Sequence, residues 1–397
     1  MAAYDAASPR WAKVQDQVVN DLVAVPPVYV ATWMESLRGV SDKLVEPLAV
    51  VFRDGKRRET ERYLATDILA EYAAAHPKLM VELLLDSDAT QYKVLFPKLD
   101  VYGEAGLAPL AAEIDKRLPA GAKDDDKDKL AKRQANAAVA LLRMNQPAKV
   151  WPLLRHSPNP MVRSYLINQF GPMGADASAL IQRLADEPDL TIRRALILSL
   201  GPDTFSEATW STEEKKGLVE QLQKIYRTEA DPGLHAAAEW LLRQWKLEAW
   251  LTRVNDEWAK DKDQREKRLD GIRQLLVKDQ EKTPPQWYVN GQSQTMVVIP
   301  GPVEFLMGSP STEAGRFPHE QLHRQRIGRS FAIAAKPVTV KEFLPGTARA
   351  APEQFRSSVC CLDLRPAARC TLPGTTRPGT PSPAACSRSG DAVQRPR

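Results

Sequence analysis

The sequence predicts a mainly α protein in three parts: an array of stacked helical repeats over residues 1–282, a short α+β segment over 287–344, and a disordered tail over 345–397. Three observations predict it. A helix-start signature recurs through the first two thirds of the chain. At Thr283-Pro284-Pro285 the apolar residues leave helical spacing and fall into short runs closed by Pro and Gly. Beyond Leu344 the composition shifts to Pro, Arg, Ser, Cys and Ala. A length of 397 residues suits two or three domains, and 43% hydrophobic residues suffice for a core.

The helices follow from apolar stripes and their stops. Trp11, Val14, Val18, Leu22 and Val25 mark one face of a helix that Pro26-Pro27 ends. Val28–Leu37 and Leu44–Phe52 give two more, with Pro47 expected in the first turn of the second. Thr60–Ala75 buries Tyr63, Leu64, Ile68, Leu69 and Tyr72. Pro77–Leu85, Tyr92–Phe96 and Leu107–Leu118 continue the pattern. The run Lys123–Lys129 reads as a charged loop or the solvated start of the next helix. It lacks the Gly and Glu of a calcium-binding loop. Glu213–Arg227, Leu234–Asp261 and Glu266–Glu281 complete the helical part, the last with Leu269, Ile272, Leu275 and Leu276 inward.

Internal similarity organises these helices. Pro160-Met-Val-Arg-Ser-Tyr-Leu-Ile167 matches Leu190-Thr-Ile-Arg-Arg-Ala-Leu-Ile197 at a spacing of about thirty. Asp231-Pro-Gly-Leu-His-Ala-Ala-Ala238 has the same shape, and Lys132–Ala137 and Glu61–Ala65 are weaker copies. Each puts an Asp, Pro or polar start before a branched apolar residue, then a basic residue, then small residues on the buried side. Gly171-Pro172 and Gly201-Pro202 stop two of these helices. The pattern resembles HEAT/armadillo-like repeats, whose helix pairs bury their apolar faces only by stacking on the next pair. Trp240, Trp245, Trp250 and Trp258 are read as packing residues between such helices rather than a ligand box.

Beyond Pro285, Trp287-Tyr-Val289 starts a strand-rich segment and Asn290-Gly291 is a turn. Met296–Ile299, closed by Pro300-Gly301, and Phe305–Met307, closed by Gly308, are short strands. Ser309–Pro318 is a loop, and Arg324–Ile333 alternates as a half-buried strand. Val338-Thr339-Val340 then leads towards a helix carrying Phe343. Met296-Val-x-Ile-Pro300, Glu304-Phe-x-Met-Gly308, Glu320-x-x-His323, Phe331-x-Ile333 and Val338-Thr339-x-x-x-Phe343 together resemble the opening of the formylglycine-generating enzyme family, the sulfatase-modifying-factor fold. Leu322 stands where that family usually has proline, and Pro337 where it usually has glutamate. The resemblance implies an α+β domain whose cysteines, metal-binding residues and substrate groove come later in the fold. It also implies a parent like multidomain bacterial proteins, which often carry a protein kinase upstream. Gly308, Glu320, His323 and Thr339 read as fold-building positions, so no catalytic, cofactor-binding or metal-ligating role is assigned to any residue.

A competing motif overlaps this segment. His319-Glu320-Gln-Leu-His323 matches H-E-x-x-H, which on a helix would set two histidines on one face for zinc with Glu320 as general base. The preceding loop and the alternation after Arg324 argue for a loop-to-strand junction instead. A zinc-dependent hydrolase through His319, Glu320 and His323 is thus the alternative reading, beside an active oxidase in an intact parent.

Composition narrows the remaining classes. Of 55 basic and 50 acidic residues, eight and three fall beyond Leu344, leaving 47 of each, so no basic face for nucleic acid is expected. No run of apolar residues suggests a membrane span and the N-terminus has no secretory pattern, so a cytoplasmic protein is expected. All four cysteines (Cys360, Cys361, Cys370, Cys386) lie in the tail, matching no family motif. That tail also lacks Lys, Ile, Asn, His, Trp, Tyr and Met. Read one base earlier, the codons of Pro373–Thr380 can spell Trp-Tyr-Asp-Ala-Ala, a run the resembled family shows soon after its Val-Thr. A reading-frame change near Leu344 or Pro345 is therefore expected. The function expected is a protein-interaction scaffold, with an unknown protein partner on the repeat surface, fused to a truncated and inactive domain without cofactor.

Overall fold

The computed structural model describes residues 5–202, 205, 211–278, 284–311, 313 and 315–339. The expectations for the tail, its cysteines and the helix carrying Phe343 lie outside these residues. The protein is mainly helical, with two small antiparallel sheets. Among the described residues no strand precedes Gln286.

The helices are α1 Trp11–Ala24, α2 Pro27–Leu37, α3 Ser41–Arg53, α4 Glu59–Tyr72, α5 Pro77–Asp86, α6 Ala89–Asp100, α7 Glu104–Asp115 and α8 Asp124–Arg143. They continue as α9 Met161–Gln169, α10 Ala177–Asp186, α11 Leu190–Ser199, α12 Thr212–Thr228, α13 Pro232–Gln244, α14 Glu248–Lys260 and α15 Lys262–Lys278. Their starts are chemically marked. Asp176, Asp189 and Asp231 accept backbone N–H bonds as N-caps, and Asp88–Gln91 and Ser211–Glu214 form capping boxes. Pro27, Pro77 and Pro232 sit in first turns, where the missing N–H has no helical partner to lose.

Packing joins neighbours in sequence and neighbours one element apart. Helix α3 lies on α1 and α4, α4 on α6, α8 on α5, α7 and α9, and α11 on α9 and α13. Close approach depends on small residues: Ala135, Ala137, Ala138 and Ala140 on α8, Ala195 on α11 and Ala238 on α13 are fully covered. Leucines fill the remaining space, as at Leu196 and Leu241, each contributing about 1.5–3 kcal/mol by burial.

Four arginines at these helix starts act alike, whereas Arg133 of α8 pairs back to Glu82, Asp86 and Glu113. Arg62 reaches Asp88 at 2.9 Å and Arg163 reaches the Thr191 carbonyl at 3.2 Å. Arg193 reaches Glu229 at 2.9 Å and Arg194 reaches Asp231 at 3.0 Å. Each arginine thus ties its helix to the start of a later one. The side-chain amides of α8 act in a related way. Gln134 and Asn136 donate to the C-terminal carbonyls of α7 and α5, which lack intrahelical donors.

Several boundaries differ from the sequence reading for local reasons. Pro47 is inside α3 rather than in its first turn, because the helix begins at Ser41. Proline also occupies α6 (Pro97) and α7 (Pro109), so packing outweighs the lost hydrogen bonds there. The capping box at Asp88 starts α6 earlier than its apolar residues indicate. The charged run after Lys123 is the solvated first turn of α8, with three aspartates at its positive end. The stretch Leu234–Asp261 is two helices, separated where Lys246 adopts a left-handed φ of 61°.

The strands are β1 Gln286–Val289, β2 Thr295–Ile299, β3 Val303–Met307, β4 His323–Ile327 and β5 Phe331–Ala334. One antiparallel sheet has the order β1-β2-β5, and β3 pairs with β4 in a separate hairpin. The expected single strand Arg324–Ile333 is therefore two strands in different sheets. Gly328-Arg329-Ser330 makes the change of direction, and the Ser330 hydroxyl accepts from the Gly301 amide. Tyr288, Met296, Val298 and Ala332 share one sheet face and form a core with Leu269, Ile272 and Leu276 of α15. That last helix therefore shares a core with the sheet across Pro284.

Candidate functional site at the junction of helices and sheet

The H-E-x-x-H motif does not form a metal site. Residues 318–322 form turns and an isolated bridge, and His323 opens β4, so His319-Glu-x-x-His323 is not helical. The one-turn spacing that would set both imidazoles beside one zinc ion is missing. His319 stacks on Phe317, the Glu320 carboxylate accepts from the Phe317 amide, and His323 Nδ1 lies 2.8 Å from the Gln321 carbonyl. Among the described residues no group of three or more His, Cys, Asp or Glu side chains is placed to hold a metal. None of them is a cysteine, so the thiol chemistry implied by the resemblance is not built from this part of the chain. Gly308 sits at the end of β3 with a φ of 98°, its α-carbon against the backbone of Glu320 and Gln321. Gly308, Glu320 and His323 meet as a turn assembly. Thr339 ends the described segment.

The four tryptophans of the last helices are half-buried against the helical core. Trp240 lies over Gly201, where a β-carbon would come within 2.6 Å of its ring. Trp250 and Trp258 flank Tyr226 at 5.8 and 5.6 Å between centroids. Trp258 has a second side, and there the structure shows what the sequence did not.

His235 is 1% exposed and stacked between Tyr226, at 4.1 Å, and Trp287 of β1, at 3.6 Å. Its Nδ1 lies 2.8 Å from the Tyr226 carbonyl, and Nε2 faces Thr295 of β2 at 3.5 Å. Burial pulls its pKa down to about 4, so the ring is neutral at pH 7. The hydroxyl of Tyr226 pairs with Asn255 at 2.7 Å, and the Trp287 indole donates to the Glu229 carbonyl at 2.8 Å. Beside this stack Glu239 is buried. Burial opposes its ionisation, but hydrogen bonds from Lys336 and Arg243 outweigh it and hold the carboxyl below its usual range. Lys336 follows β5, so this pair ties the sheet to α13.

On the outer side of Trp287 the Arg268 guanidinium lies 3.7 Å from the ring centroid, and its Nε donates to the Trp287 carbonyl at 2.8 Å. A cavity of about 340 Å³ opens here, lined by Arg227, Trp258, Gln264, Arg265, Lys267, Arg268, Trp287, Tyr288 and Val289. Burial draws Arg268 down to about 10. The sequence carried one signal for this region. Counting from the Asp caps, His235 stands as far into α13 from Asp231 as Arg193 stands into α11 from Asp189.

Two apolar features lie among the first helices. Helix α2 turns Val28, Tyr29 and Trp33 to solvent, 77%, 57% and 51% exposed. A groove of about 680 Å³ is lined by Val45, Ala75, Pro77, Leu79, Ala105 and Pro109, with Asp42, His76 and Lys78. No described helix is long and apolar enough to cross a membrane. Comparison with family models, with curated proteins and with solved structures gave no match to this chain.

Proposed function

We propose that the chain is a protein-interaction scaffold: a HEAT-like repeat array joined to an opening portion of a formylglycine-generating-enzyme-like domain that is inactive by itself. The carrying observation is the exposed face of α2. Tyr29 and Trp33 are one helical turn apart and more than half exposed, with Val28 beside them. Large aromatic side chains at such density are the anchors of protein interfaces. The stacking of α9, α11 and α13 through signature arginines supports the repeat reading. Exposed Phe305, Leu306, Met307, Phe317 and Leu322 around the β3–β4 hairpin support the view that a fuller domain covers this segment.

The test places a photo-crosslinking residue at Trp33 and, as control, at exposed Lys13. A single polypeptide is expected to crosslink at position 33 alone. Its purified form should bind the intact chain and lose roughly ten-fold affinity with Tyr29→Ser/Trp33→Ser, the loss of one interface anchor. Equal binding by that variant, with an unchanged melting curve, overturns the proposal.

A further inference from the structure

We propose that the cavity bounded by α12, α14, α15 and β1 binds a small polyanion carrying two or more linked phosphate groups. Four cationic side chains line it: Arg227 from α12 and Arg265, Lys267 and Arg268 from α15. None of the four forms an ion pair with a carboxylate of the described residues, and no acidic side chain lines the cavity. The contrast is Arg133, which is also enclosed by its surroundings but satisfied by Glu82, Asp86 and Glu113.

Arg268 defines the floor. Its Nε is committed to the Trp287 carbonyl and its plane to the Trp287 ring, which fixes the guanidinium and leaves its terminal nitrogens for a ligand. A fixed guanidinium matches phosphate oxygens two at a time. Burial without a counter-charge already disfavours its charged form, so an arriving anion recovers that cost. Trp287 has both faces covered, by His235 and by Arg268, and so offers no stacking surface. Trp258 and Tyr288 also line the cavity, but with four cations and no carboxylate around it recognition rests chiefly on charge and hydrogen bonding. The space, about 340 Å³, is within the range of small-ligand pockets and spans cations from two helices, which favours linked phosphates over a single one.

The experiment titrates the full chain with inorganic pyrophosphate at constant ionic strength, by calorimetry and by tryptophan fluorescence. Saturable binding of one equivalent is expected, roughly ten-fold or more tighter than inorganic monophosphate. Arg227→Gln/Lys267→Gln, both at exposed positions, should weaken it about ten-fold or more, and Arg268→Gln further still. Lys13→Gln/Lys93→Gln makes the same change in net charge away from the cavity and should leave affinity within about two-fold. Tripolyphosphate and ATP should bind alike. No saturable binding, equal weakening by the remote pair, or equal affinity for monophosphate overturns the proposal. Binding of ATP far above tripolyphosphate overturns it too, because the ring would then be the group recognised.

Discussion

His235 shows how one side chain couples the two parts of the molecule. Its ring is stacked on both faces and neutral, with its pKa pulled from 6.5 to about 4 by burial. The unfolded chain binds a proton at this residue below pH 6.5, while the folded chain does not until about pH 4. Stability is therefore lost as the pH falls through that window, by about 3 kcal/mol from this group. Urea unfolding between pH 7 and pH 4 should show this slope, and His235→Gln, which does not titrate, should flatten it by the same amount. A variant with the wild-type slope would place the pH dependence elsewhere.

At the scale of single elements, caps and turns carry the local specificity. The Asp189 carboxylate accepts from the Thr191 hydroxyl and from the Thr191 and Ile192 amides, and these bonds, helped by Arg155, hold its pKa down at about 2. Asp189→Ala should cost about 1 kcal/mol through the lost cap, read as a lower urea midpoint with an unchanged slope. Asp189→Asn, which retains an acceptor, should recover most of that loss. Gly308 tests the hairpin. An added β-carbon meets the Gln321 carbonyl oxygen at 2.4 Å on a backbone with φ of 98°. Gly308→Ala should cost more than about 1 kcal/mol and speed amide exchange across Val303–Ile327, while exchange in α1–α6 stays unchanged.

For the whole molecule, the contacts at the junction of helices and sheet predict that the two unfold together. Trp287 is 1% exposed, bonds to the Glu229 carbonyl and lies between His235 and Arg268. Trp287→Ala should destabilise by about 3–5 kcal/mol, and both helical and aromatic circular dichroism should report the earlier transition. A loss confined to the aromatic signal would mean that the helices stand without the sheet. At the same scale, the chain should not convert cysteine to formylglycine in a sulfatase-type peptide, since such chemistry needs a preorganised reactive group beside a bound peptide. Incubation with copper, oxygen, reductant and a cysteine peptide should give no aldehyde above control by mass spectrometry. Turnover would overturn the inactive reading.

Much of the architecture is local and was legible in residue order. Apolar spacing, Pro stops and Asp or Ser caps decide where most helices lie, because each acts within one or two turns. The change of regime at Pro284-Pro285 is equally local. What residue order could not decide was partnership. The apolar face of α15 is the same face whether it meets a helix or a sheet, and only the fold pairs Leu269, Ile272 and Leu276 with Tyr288 and Met296. The strand expected over Arg324–Ile333 has one alternating pattern, yet its halves enter different sheets because their hydrogen-bonding partners are separate strands. The prolines inside α3, α6 and α7 yield to packing that no local rule registers. The basic cavity is the clearest case. Arg227 and Arg268 stand on separate helices, and their meeting around one cavity, with Trp287 on its wall and His235 behind that ring, depends on contacts that exist only once α12, α13, α15 and β1 have packed together.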